Sequence, residues 1–215
     1  MTQPILYTGG ALETNAYLLP GAEGSYLCFD APEGLAEAVK RQGLKIEALL
    51  LTHGHFDHIW DAGRIEADHH CPVYLHPADR PLAENIDYLD RFAIVERFPL
   101  VKNLTDLAVP EQGSLAWACG GRDFQLFHIP GHSLGSVAFY DKAEARVLGG
   151  DVLFAGAVGR WDLPGGSQKT LLEGIARHLV PLPDETVVYP GHGPATTIGQ
   201  EKRTNRYLQP PYIQS

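Results

Sequence analysis

Leu49-Leu50-Leu51-Thr52-His53-Gly54-His55-Phe56-Asp57-His58 packs four metal-capable side chains into six residues, directly behind an apolar run. The run Leu49–Leu51 reads as a buried strand, and the ligands begin where it stops. In extended chain, side chains two residues apart share a face. His53, His55 and Asp57 are therefore expected to converge on one side, with His58 turned to the other to serve a second ion. Imidazole nitrogens with one carboxylate oxygen suit zinc, and also iron or manganese.

The same arrangement recurs downstream. Phe124–Ile129 runs into Pro130-Gly131-His132, Val147-Leu148-Gly149-Gly150 into Asp151, and Val187–Tyr189 into Pro190-Gly191-His192. Each apolar segment is followed by a glycine, which allows a sharp bend, and then by a metal-capable residue. Ligands on strand ends are held more rigidly than ligands on free loops. The repetition points to one shared site.

Extended segments are predicted at Ala16–Leu19, Ser25–Asp30, Ala48–Leu51, Val73–Leu75, Phe124–Ile129, Val137–Tyr140, Val147–Gly149 and Val187–Tyr189. Helical spacing of apolar residues covers Glu33–Gln42, Ile59–His69 and Ser167–Leu179, the last with Ser167 as N-cap. Strands mixed with helices indicate an α/β layered architecture. The segment Pro81–Pro110 reads as one helix and a long loop. Its Tyr88, Phe92, Phe98 and Leu100 suit a substrate wall or core packing equally well.

A length of 215 residues, 44% hydrophobic and 20% charged, is that of a globular protein and is read as one domain, 1–215. The formal net charge of −9 and the lack of any basic block argue against a nucleic-acid partner. No apolar run approaches a membrane span, and no signal peptide is predicted at the N-terminus. Cys28, Cys71 and Cys119 show no Cys-x-x-Cys spacing and read as reduced, buried thiols of a cytoplasmic protein.

The set His53-x-His55-x-Asp57-His58, His132, Asp151 and His192 resembles the metallo-β-lactamase superfamily of hydrolases. Thr14-Asn15-Ala16-Tyr17-Leu18, Ile129-Pro130-Gly131-His132-Ser133, Gly159–Ser167 and Tyr189–Gly199 are similar to its short, single-domain glyoxalase II-like (hydroxyacylglutathione hydrolase-like) branch. The resemblance implies a four-layer αββα sandwich without the C-terminal helical domain that helps bind glutathione. It also implies two zinc ions, with iron or manganese as alternatives. His53, His55 and His132 would hold the first, Asp57, His58 and His192 the second, and Asp151 both. Asp57, His58 and Asp151 would be the catalytic residues. The implied reaction is attack of a metal-bridging hydroxide on a thioester such as S-lactoylglutathione, by a monomer or small homo-oligomer.

Arg160 falls where that branch has a basic residue near the glutathione carboxylate, or it pairs structurally with Asp162. Gly193-Pro194 stands where the branch carries a glutathione-contacting tyrosine. The same ligand order also fits a mononuclear-iron persulfide dioxygenase, a lactonase or a β-lactamase. A closed structural zinc site would instead be rich in cysteine. Among the remaining polar residues, His76 is expected to support the site or to be a buried structural histidine, and His128 to pack. His69, His70 and His178 are expected on exposed helix faces. Asp30 is placed to orient a ligand histidine or to cap a turn, and Asp61 stands where relatives often have glycine.

Overall fold

Alternation along the strands sorts the apolar side chains into three layers in the computed structural model, which describes residues 2–92, 96–111, 113–210 and 212. The chain begins with β1 (Ile5–Gly9), β2 (Thr14–Pro20), β3 (Tyr26–Phe29), α1 (Leu35–Arg41) and β4 (Ile46–Leu50). It continues through α2 (Phe56–Ile59), α3 (Ala62–His69), β5 (Val73–Leu75), α4 (Arg80–Glu84) and β6 (Leu104–Asp106). Then come β7 (Leu115–Cys119), β8 (Arg122–His128), β9 (Val137–Asp141), β10 (Arg146–Gly150) and the hairpin β11 (Leu153–Phe154)–β12 (Ala157–Val158). The last elements are α5 (Gln168–His178), β13 (Val187–Pro190), β14 (Thr196–Thr197) and α6 (Ile198–Thr204).

Two six-stranded sheets result among the described residues, in the orders β1-β2-β3-β4-β5-β6 and β14-β13-β10-β9-β8-β7. The pairs β3–β4, β4–β5, β5–β6 and β10–β13 are parallel. Parallel neighbours need a crossover, and α1, the α2–α3 pair and α5 supply three of them. Leu19, Leu27, Phe29, Leu50, Phe124, Phe139 and Leu148 fill the space between the sheets. Their chain neighbours Leu18, Cys28, Leu49 and Leu51 point the other way, onto Leu35, Val39 and Ile65 of the first helical layer. Ala138, Tyr140, Val147 and Val188 meet Leu171, Ile175 and Ile198 of the second helical layer. Strands buried on both faces read as unbroken apolar runs, which is why these central strands were visible in the sequence. The architecture is the expected αββα sandwich.

The side chain of Ser167 caps α5 by accepting from Thr170 N at 3.2 Å. Ser167→Ala is expected to cost about 1 kcal/mol and to lower the melting temperature by roughly 2–4 °C. Thermal unfolding followed by circular dichroism would check this.

Several elements differ from the sequence reading. The helix expected over Ile59–His69 is interrupted, because Asp61 is drawn away to cap α1. Its buried carboxylate accepts from Ala36 N at 2.9 Å and its own N–H donates to Ala31 O at 2.8 Å. Pro81–Pro110 holds the short α4, a 3₁₀ turn over Asp87–Phe92 and β6. Phe98 is buried with its ring 4.8 Å from Trp60, so it is a core residue and not a substrate wall. The side chains of Tyr88 and Phe92 lie outside the described residues. His178 is buried, not exposed, and stacks on Phe127 at 5.1 Å. Cys28 and Cys71 are buried free thiols, whereas Cys119 on β7 is only half-buried. Among the described residues, no helix is long and apolar enough to cross a membrane.

Candidate metal centre

The ligand-bearing turns follow β4, β8, β10 and β13, and all meet at one edge of the sandwich. A second connection closes that edge across the two sheets. Asn15 N donates to Gly191 O at 2.7 Å, Asn15 Nδ2 donates to Gly193 O at 2.9 Å, and the Tyr17 hydroxyl donates to Pro190 O at 2.9 Å. The stretch Thr14–Tyr17 therefore fastens the loop that carries His192. Gly191 has no tolerance for a side chain, since a Cβ there would collide with Asp151 Oδ1 and His58 Cε1.

The local geometry of the first motif corrects one expectation. Extended chain does not continue through Asp57 and His58. Helix α2 starts at Phe56, so both lie in its first turn. That turn separates Asp57 from His53 and His55 and gives it to the other group of ligands.

Three nitrogens form the first group. His132 Nε2 lies 2.8 Å from His55 Nδ1 and 3.2 Å from His53 Nε2. In the second group, Asp57 Oδ2 is 3.4 Å from His58 Nε2 and 3.3 Å from His192 Nε2. Asp151 reaches both. Its Oδ1 is 3.3 Å from His58 Nε2, and its Oδ2 is 3.4 Å from His192 Nε2 and 3.5 Å from His132 Nε2.

Four of the five rings are held from behind. His58 Nδ1 donates to Asp30 Oδ2 at 2.8 Å, His132 Nδ1 to Arg160 O at 2.9 Å and His192 Nδ1 to Leu12 O at 3.0 Å. The Thr52 hydroxyl donates to Asp30 Oδ2 at 2.8 Å and accepts from His53 Nδ1 at 3.1 Å. Each bond fixes a proton on the outer nitrogen and turns the inner nitrogen toward the centre, the orientation that metal-binding histidines use. Thr14 Oγ1 similarly donates to Asp57 Oδ2 at 2.7 Å.

The electrostatics match a cation-binding role. Burial, reinforced by His58, His55 and His132, holds His53 well below the usual imidazole range. Burial and His132 push His55 down to about 3. Burial opposes charge on Asp57 and Asp151, yet His58 and His192 outweigh it. Asp57 falls to about 2, and Asp151 lies well below the carboxylate range. Burial likewise opposes charge on His58 and His192, and the carboxylates overcome it. Asp57, Asp151 and Asp30 hold His58 well above the usual range, and Asp151 and Asp57 bring His192 to about 10.

The Nε2 lone pairs of His53 and His132 face each other across 3.2 Å, a repulsion that a cation between them would remove. His58 Nε2 and Asp151 Oδ1 are buried and make no hydrogen bond, a costly condition that coordination would relieve. The residues present thus fit two ions. His58 is fully buried, while His192 retains 28% side-chain exposure, so the site opens to solvent on the His192 side.

Arg160 is not drawn into this cluster. Its guanidinium is exposed and pairs with Asp162 through bonds of 2.7 and 2.9 Å, the structural alternative weighed from sequence, while its carbonyl serves His132. His76 and His128 are buried and stack on each other at 4.1 Å. With Val109, Pro130, Gly131 and Leu134 they line a pocket of about 440 Å³ beside the His132 turn. Sequence reasoning missed Thr14 and Thr52 and left Asp30 undecided. The available signal was positional: Asp30 and Thr52, like the ligands, follow directly on buried strand residues.

Comparison with known proteins identifies the chain's family and similar folds. The family described as the Metallo-beta-lactamase superfamily matches residues 8–192. The hydroxyacylglutathione hydrolase GloC of Haemophilus influenzae is 33% identical over 201 residues, covering 91% of this chain and 88% of its own. The crystal structure of BLEG-1 B3 metallo-beta-lactamase superposes with a TM-score of 0.84 at 39% identity, covering 96% of this chain and 99% of that one. That of TTHA1623 in a di-iron-bound form does so with a TM-score of 0.80 at 43% identity, covering 95% and 100%.

Proposed function

The chain belongs to the metallo-beta-lactamase superfamily, and from that premise we propose that it is a two-metal hydrolase acting on a thioester of the hydroxyacylglutathione type. The observation that carries the reading is Asp151, whose two oxygens reach His58 and His192 on one side and His132 on the other. His53, His55 and His132 would hold one ion, Asp57, His58 and His192 the other, and Asp151 both. Zinc, iron and manganese all accept this donor set, and the di-iron form of TTHA1623 supports a dinuclear centre. Bound ions of this kind supply a water acidic enough to attack at neutral pH and positive charge for the developing oxyanion.

The protein's own groups do the remaining work. Asp30 and Thr52 fix the orientation of His58 and His53, Thr14 fixes Asp57, and the Leu12 and Arg160 carbonyls fix His192 and His132. The partly exposed His192 stands on the side through which a carbonyl would enter. The pocket beside Pro130 and Gly131 has a size suited to part of a small substrate. Likeness to GloC supports the thioester, whereas likeness to BLEG-1 supports a β-lactam ring as the second reading.

A hydrolysis screen on one metal-analysed sample tests these readings. S-lactoylglutathione cleavage with about two ions per chain and no oxygen uptake is the expected result. Cleavage confined to β-lactams or lactones would overturn the thioester assignment, and oxygen consumption with a persulfide would overturn hydrolysis itself.

A further inference from the structure

A buried carboxylate outside the ligand set ties together one half of the centre. Asp79 is 0% exposed, in the 3₁₀ turn that follows β5. Its Oδ2 accepts from Gly54 N at 2.9 Å and from Ser133 Oγ at 2.7 Å, and its Oδ1 accepts from Gly135 N at 2.6 Å. Gly54 is the residue between His53 and His55, and Ser133 follows His132. One side chain thus bonds the backbone of the first ligand loop and both ends of the turn that follows the third ligand.

The surrounding chain is shaped for this contact. A Cβ on Gly135 would lie 2.7 Å from Asp79 Cγ, and a Cβ on Gly54 would lie 3.0 Å from Asp79 Cβ. Gly135 lacks a side chain where the carboxylate approaches, and Gly54 lacks one where the Asp79 backbone and Cβ approach. The partners of Asp79 all belong to the turns of His53, His55 and His132. The other group is supported separately, through Thr14 to Asp57, Asp30 to His58 and Leu12 to His192. Asp30 serves both groups, since Thr52 passes its hydrogen bond on to His53.

We propose that Asp79 is a positioning residue for one ion only, setting the spacing of His53, His55 and His132 without acting on Asp57, His58 and His192. The proposal rests on the two-ion reading above. The mechanism is geometric. An aspartate can accept all three hydrogen bonds, whereas an asparagine of the same size presents an NH₂ to an N–H or hydroxyl donor. The His53–His55 loop and the His132 turn then lose their common anchor and the three nitrogens spread.

The test is chelator competition on zinc-loaded protein, read as stepwise release of the ions, beside far-UV circular dichroism. Wild type is expected to release two ions in two steps. Asp79→Asn is expected to weaken one step by about 10–100-fold and to leave the other unchanged. Ser133→Ala removes one of the three bonds with little demand on folding, and is expected to weaken that same step by less. Asp30→Asn should weaken both. If Asp79→Asn does not fold, Ser133→Ala alone decides. Two steps that move together, or a lowered melting temperature with both steps unmoved, would overturn the proposal. Fewer than two ions on the wild-type chain would overturn the two-ion reading and this proposal with it.

Discussion

Asp151→Ala is expected to reduce turnover at least on the order of 100-fold and to lower the metal content below two ions per chain. The side chain is the one donor shared by both groups, with contacts of 3.3 to 3.5 Å to His58, His192 and His132. Its loss removes the anion that His58, His192 and His132 share, while His58 and His192 keep Asp57 beside them. The fold should survive, because the residue lies past the end of β10, at the rim of the core. Metal analysis and steady-state kinetics on the folded variant check this. Wild-type turnover with two bound ions would show that this carboxylate does not join the two halves.

Removing the metal is expected to produce the largest change in stability. An ion bound at roughly 1,000 times its dissociation constant contributes about 4 kcal/mol. For a chain of this size, that loss lowers the melting temperature by roughly 8–16 °C. The structure gives the reason. His58 Nε2 and Asp151 Oδ1 are buried without hydrogen bonds, and the Nε2 lone pairs of His53 and His132 face each other. Coordination satisfies all of these groups at once. Thermal unfolding before and after chelation, with recovery on adding zinc back, provides the check. An unchanged melting temperature in fully stripped protein would mean that this cluster does not bind metal in the folded state.

Much of the site was legible because its chemistry is local. Four ligands fall within His53–His58, and His132, Asp151 and His192 each follow an apolar strand and a glycine. The structure brings these seven side chains together at one edge. The Ile59–His69 reading failed for the opposite reason. Apolar spacing does not register that Asp61 is engaged by the backbone of α1, 25 residues earlier. Strands β1, β6, β7 and β14 lie at or near sheet edges, where partly exposed faces blur the apolar pattern. His178 was misjudged because only packing against Phe127 makes its face of α5 an interior one.

The central strands and the seven candidate ligands could be read from residue order alone, because burial on two faces and the need for imidazole or carboxylate both leave a mark at each position. The partners that aim those ligands could not. Asp30 meets His58 across 28 residues, Thr14 meets Asp57 across 43, and Asn15 meets the His192 loop across 178. A hydrogen bond between distant segments imposes no periodicity on either of them. Only the folded chain reveals which polar group holds which histidine.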